Sequence, residues 1–285
     1  MYDLLQDDLF ASVSDIFLQF SSHIKNSRKK IFLFAPATLH GALALTPLEA
    51  ALLDENIPYR RSFSENNKTS FPCINILKKD ILLGSNLENN SSYLNISSKI
   101  VDGLSGAHGD RKQGPLNSIL QSHALAQAIS PSSPRLKYLR PWILSGSWLD
   151  DSLDNTYDPI FSKIKEILVK EGTIKVVPVT EVKKPYMGNY SWIDETDMTN
   201  LSISWEELDI ENKSVLISNL VKPVLNKSLP STARIEELVW NCVVGNDWQT
   251  DLAGQLSILE KNWHLEDGRL NANNLIEKLL TRGHL

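Results

Sequence analysis

Apolar positions recur at three- and four-residue steps near the start of the chain. Leu5, Leu9, Val13, Ile16, Phe17 and Phe20 carry this pattern, and the spacing predicts a helix over residues 4–24. A basic bend follows, from Lys25 to Lys30. Ile31-Phe32-Leu33-Phe34-Ala35 is an unbroken apolar run of the kind that forms a strand buried on both faces. Residues 36–41 read as a loop. Thr46-Pro47-Leu48-Glu49 then reads as a helix start, with Thr46 as the cap, Pro47 in the first turn and Glu49 closing a capping box. This helix is expected to run through Leu52 and Leu53 and to stop before Pro58. Strand, loop and helix in this order open a parallel α/β unit.

Residues 62–100 break the pattern. SFSENNKTS and NLENNSSYLN are polar and aperiodic, with one or two short strands expected between Cys73 and Leu83. Periodicity returns in a helix from Leu116 to Ile129, a proline-rich break from Pro131 to Pro141, and a helix from Pro159 to Val169 that Gly172 stops. Ile174 to Val182 has strand composition, and Pro178 places it at an edge. The stretch 183–204 holds Pro185, Gly188 and three acids and reads as a linker. Helices are expected over 205–225, 234–244, 252–263 and 270–280. The predicted fold is α/β: a parallel sheet flanked by helices over residues 1–182, the 183–204 linker, and a smaller, mainly helical part over 205–285. The chain shows no internal repeat.

Composition adds a compartment and an asymmetry. The 285 residues are enough for about two domains. The net charge of −5 is unevenly placed: residues 1–140 carry 15 Lys and Arg against 12 Asp and Glu, and residues 141–285 carry 14 against 22. All seven tryptophans lie in the second part. Neither part is basic enough to announce nucleic-acid binding. Cys73 and Cys242 match no metal spacing, which predicts reduced thiols and an intracellular, cytoplasmic setting. MYDLLQDDLF is acidic where a secretory signal is basic and then apolar. No run approaches the ~20 apolar residues of a membrane helix, so no membrane partner is expected. The triplets at Asn67 and Asn95 that match Asn-x-Ser/Thr are then chance occurrences in an Asn- and Ser-rich chain.

Local motifs carry little chemistry by themselves. The glycine-rich segment 103–109 lacks the Gly-Lys-Ser/Thr of a nucleotide loop and the spacing of a dinucleotide turn, and reads as a structural turn. The six histidines (His23, His40, His108, His123, His264, His284) include no HxH or HxxxH pair, so zinc is not predicted. Asp150, Asp151, Asp154 and Asp158 suit either a hard cation or a solvated helix start. Gly146-Ser147 lacks the second glycine of a nucleophile elbow. Trp205, Trp240, Trp248 and Trp263 fall in or near helical segments, where core packing is the default. Trp240, Trp248 and Trp263 are the candidates for a partner surface.

Four segments, in order, resemble the DHH phosphoesterase superfamily and its archaeal RecJ-like branch. That branch includes the GINS-associated nuclease and archaeal relatives of the replication factor Cdc-forty-five. Ile31 to Arg61 matches the strand, loop and small-residue helix that carry the family's His-x-Asp-x-Asp-Gly loop. Leu104 to Arg111, with Asn117 and the helix behind it, looks like the family's glycine turn and helix, "GAxGDR". Tyr157-Asp158-Pro159 is similar to a Thr-Asp-Pro element. Ala233 to Leu256 is similar to a helix-rich stretch of the archaeal branch.

The departures shape what the resemblance implies. Active relatives use two divalent metals held by aspartates and histidines. Aligned on Gly41, the first loop has Pro36 in place of the histidine and Thr38 and His40 in place of the aspartates. The Asp-His-His signature is missing, since no histidine lies between Gly41 and Ala107. The nuclease branch's C-terminal glycine-histidine motif is missing too. Asp110 remains, in a turn that defines the fold. The resemblance therefore implies a catalytically inactive scaffold with no cofactor, a vestigial cleft at Gly41, Gly106, Gly109, Asp110 and Asn117, and the GINS complex and the MCM helicase as partners in DNA replication. A divergent metal-dependent single-strand exonuclease or phosphoesterase, rebuilt on His40, Asp110 and the 150–158 acids, is the first alternative. A weak single-stranded-DNA module using the basic residues of the first part is the second.

Overall fold

The computed structural model describes residues 1–64, 72–77, 85–86, 92–105, 111–150, 152–155, 157–225, 227, 230–263 and 267–285. The first expected helix is broken into two 3-10 turns, Leu4–Gln6 and Asp8–Phe10, and a helix α1 over Ser14–Ser27. Asp3 and Asp7 are the reason. Their carboxylates accept from the Leu5 and Leu9 amides, a local bond that competes with helix. Phe17, Phe20 and Ile24 form the buried face of α1, which packs on a later helix, α3.

Strand β1 is Ile31–Phe34, as its apolar run predicts. Helix α2 covers Leu39–Asp54 and begins well before Thr46. Thr38 caps it, its Oγ1 accepting from the Gly41 amide at 3.1 Å. The Thr46 hydroxyl instead donates back to the Ala42 carbonyl, and Pro47 sits in the helix interior. An interior proline costs about 3 kcal/mol. Leu43, Leu45, Leu48 and Leu52 are all buried, each contributing roughly 1.5–3 kcal/mol, so burial outweighs that cost. Glu49 closes no capping box. Its buried carboxylate meets Arg61 at 3.0 Å.

Strands β2 (Tyr59–Ser62), β3 (Cys73–Ile76), β4 (Ser85–Asn86) and β5 (Tyr93–Ile96) complete a sheet of order β2-β1-β3-β5-β4. β2, β1, β3 and β5 run parallel, with Leu33 opposite both Arg61 and Ile74, and β4 is antiparallel to β5. Helices flank this sheet, so the fold is α/β. A hairpin of β6 (Lys99–Ser105) and β7 (Arg111–Leu116) leads into α3 (Ser118–Ile129). The glycine-rich segment thus begins as strand, with Gly103 in β6 packed closely on Pro159. Short helices α4 (Pro134–Leu139), α5 (Ser145–Leu149) and α6 (Ser152–Asn155) precede α7 (Pro159–Glu171), which stops at Gly172 with φ 71°.

Strand β8 is Ile174–Val177, and Pro178 ends it. Residues 183–204 are ordered by burial rather than left as a linker. They hold α8 (Glu195–Ser204) and Tyr190, which is fully buried and donates its hydroxyl to the Leu238 carbonyl at 2.9 Å. Helices α9 (Ile210–Val221) and α10 (Thr232–Val239) follow. The helix expected over 234–244 ends at Val239, and Cys242–Gly245 is strand β9, paired antiparallel with β8. Helices α11 (Leu252–Trp263) and α12 (Gly268–Arg282) close the chain. α12 packs on α2, and Arg61 of β2 binds both Asn273 and Glu277 of α12. Cys73 and Cys242 are buried and unbridged. Among the described residues no helix is long and apolar enough to cross a membrane.

Arg140 is 2% exposed, and its guanidinium is nearly filled. It donates to Glu171 (3.0 and 3.3 Å), to Gln127 (3.2 Å) and to the Tyr2 carbonyl (2.8 Å). Glu171 also accepts from the Tyr2 amide. Breaking a buried pair leaves an uncompensated charge, so Glu171→Gln is expected to lose about 3–5 kcal/mol; an unchanged urea midpoint would refute this. His123, on α3, is buried, and desolvation together with the Arg140 cation pushes its pKa down to about 3. The unfolded chain therefore binds the extra proton. Stability is complete above about pH 6.5 and falls as pH drops toward 3. At pH 5 this one group removes about 2 kcal/mol, and His123→Gln is expected to flatten that limb of the stability-against-pH curve.

Candidate functional site

The sheet order reverses between β1 and β3, and open α/β sheets bind ligands in the crevice at the carboxyl ends of their strands at such a point. The loop 35–38 leaves β1 there. It is fixed from several directions. Thr38 donates its amide to the Pro36 carbonyl at 2.8 Å and caps α2 with its side chain. A Cβ at position 41 would lie 2.2 Å from the Pro36 oxygen, so the loop can close onto α2 only over a glycine. Position 268, at the start of α12, approaches the Ala37 carbonyl from the other side.

His40 is half-buried in the first turn of α2. Its Nε2 lies 3.8 Å from Oδ2 of Asp150, in electrostatic contact and beyond hydrogen-bond length. Asp150 stands at the end of α5, one turn after Gly146, and its amide donates to the Gly146 carbonyl at 2.9 Å. Gly146 in turn faces Asn117, whose Oδ1 would lie 2.3 Å from a Cβ there. Asn117 is fully buried and caps α3, accepting from the Leu120 amide at 3.0 Å. Gln121 braces the same corner through the Ser97 and Leu116 carbonyls. Thus α5 joins the starts of α2 and α3: His40 meets Asp150, and Asn117 meets Gly146.

The structure brings Pro36, Thr38, His40, Gly41 and Asn117 into this corner. Gly106, Gly109 and Asp110, with the rest of the 106–110 turn, lie outside the described residues, as does Asp151. The other acids of the 150–158 cluster turn to separate tasks. Asp154 pairs with Arg234, while Asp158 caps α7 through the Ile160 and Phe161 amides and accepts from Ser152. The Gly146-to-Asp150 spacing of one helical turn is the signal that would have tied Asp150 to the site. Of the tryptophans proposed for a partner surface, Trp240 is exposed. Trp248 is 4% exposed, its ring 5.2 Å from that of Trp142, so it belongs to the core; Trp263 is partly buried against that core.

The chemistry available here is narrow. Pro36 offers a ring without ligand atoms, and the Thr38 hydroxyl is occupied as a cap. Among the described residues the corner brings one imidazole, His40, and one carboxylate, Asp150, together, and this pair does not fit a two-metal clamp needing several carboxylates on paired cations. Among the described residues no three His, Cys, Asp or Glu are gathered to hold a metal ion. No protein-family model matches the chain, and no curated protein matches it.

The contact between Gly41 and Pro36 is directly testable. Gly41→Ala is expected to destabilise the fold by about 1–3 kcal/mol through overpacking, read by thermal or urea unfolding. Equal stability would show that the loop yields without cost.

Proposed function

We propose that the chain is a degenerate DHH-superfamily protein that acts as a scaffold in a DNA replication complex, holding the GINS complex and supporting the MCM helicase without metal chemistry of its own. The observation that carries this reading is the β1–α2 loop. It stands where an open α/β sheet places its ligands, yet Pro36 and Thr38 hold it shut on α2 in place of ligating side chains. The α/β sheet and the Asn117 cap behind the β6–β7 hairpin agree with the motif order of that superfamily.

One observation favours a second reading. His40 faces Asp150, and this pair would be the start of a rebuilt site in a divergent phosphoesterase. Single-stranded-DNA binding gains less. Arg61 is held by the buried Glu49 carboxylate and by Glu277, which takes this cation out of reach of a phosphate track.

Affinity purification from extract of the source organism tests the scaffold. GINS and MCM subunits are expected to co-purify, and their absence removes the proposal. Manganese-dependent nucleotide release from single-stranded DNA, abolished by His40→Ala or Asp150→Asn, would establish the second reading instead.

A further inference from the structure

The β6–β7 hairpin is a sheet of two strands, and among the described residues no third strand pairs with β6. Pro115 stands opposite Ile100 and has no N–H to give. The bonded pairs of this ladder are therefore Lys99 with Leu116 and Val101 with Gly114. The backbone N–H and C=O groups of Ile100 and Asp102 then point to the open edge. Gly103 is left without an opposite residue in β7, a bulge that ends this regular edge. One face of the hairpin is covered, since Gly103 and Gly114 lie against Pro159 and Ile160 of α7. Ile100, on the opposite face, is 63% exposed, and Leu104 beyond the bulge is 43% exposed.

A groove of about 710 Å³ runs between β6 and residues 8–12. Every residue from Ile100 to Leu104 lines it, whereas β7 contributes only Arg111 and Gln113. Successive side chains of a strand alternate between faces, so five consecutive lining residues place the groove along the edge of β6 and not over one face. Backbone donors and acceptors repeating along an edge are met in full by another strand. Residues 8–12 bound the groove on its far side, which suits a single added strand and not the paired hairpin of a second copy. Charge narrows the occupant further. Asp102 is paired with Arg111 and Lys163 with Asp7, which leaves the exposed Asp8 carboxylate as the surplus charge of the wall. We propose that β6 is a docking edge for an extended segment of a partner protein, about five residues long, that adds as a strand. Its β-branched side chains pack beside Ile100, and a basic residue faces Asp8. The inference does not rest on the scaffold reading.

The probe is a seven-residue peptide that alternates valine and threonine between terminal lysines, acetylated and amidated at its ends. It is titrated into the full chain and read by calorimetry and by amide hydrogen exchange. Saturable, single-site binding is expected, with exchange at the Ile100 and Asp102 amides slowed about ten-fold. The same peptide N-methylated at alternate residues is expected to bind about ten-fold more weakly, the worth of one hydrogen bond. Ile100→Pro removes an outward N–H, which an edge strand tolerates. It is expected to weaken binding about ten-fold with an unchanged circular-dichroism spectrum, and Ile100→Ala, which keeps the N–H, is expected to weaken it less. Asp8→Asn is expected to cost about three-fold at low salt. No saturable binding at millimolar peptide overturns the proposal, as does equal binding of the N-methylated peptide or protection at amides outside β6. Wild-type affinity in Ile100→Pro overturns it too, and Ile100→Ala as weak as Ile100→Pro would reduce the contact to side chains alone, with the same result. A sedimenting dimer of the chain that protects the same amides would make the occupant a second copy and also overturn it.

Discussion

The buried guanidinium of Arg140 is the constraint around which the rest of the chain is arranged. A charge so far from water is tolerated only if its donors are met, and four contacts from three distant segments meet them. Tyr2 brings the first 3-10 turn, Gln127 brings α3 and Glu171 brings the end of α7. Gln127 is itself shared, since its carbonyl oxygen accepts from the Leu4 amide and its nitrogen donates to the Tyr2 carbonyl. This polar knot fixes where α3 runs. The position of α3 sets the face on which α1 and α2 pack, and its first turn places Asn117. The carboxyl-edge corner is thus positioned from the far end of the same helix.

Elements governed by their own residues were legible in the sequence. The apolar run of β1, the glycine stop of α7 and the period of α11 lie within a few residues of where the pattern puts them. Local pattern and structure part where a strong local signal loses to tertiary context. Thr46 and Pro47 form a good helix start, but α2 is buried on nearly every side and absorbs the proline. Cys242 to Gly245 continues an apolar helical period, yet the exposed edge of β8 captures it as a strand. The candidate corner divides the same way. The departures at Pro36, Thr38 and His40 are visible in the chain. That Asp150 faces His40 and that Gly146 admits Asn117 depends on α5 crossing between two helix starts, which no local pattern announces.

Helix α5 has only five residues, but two environments share it. One side carries the glycine and the acid that complete the corner beside β1. The other carries Trp148 and Leu149 to the wall of a separate cavity. Alternate sides of a single turn separate the two, so a shift of this helix by one residue would disturb both together.

Helix α12 has a consequence for the order of synthesis. Its first residue presses on the Ala37 carbonyl, its middle binds Arg61, and the Gly283 carbonyl beyond it accepts from the Trp142 indole. Each of these contacts joins residues more than a hundred positions apart. During translation, β1 and α2 leave the ribosome long before the helix that covers them is made. The nascent chain must therefore hold an apolar helix with an uncovered face until α12 emerges, the interval in which a chaperone has most to do.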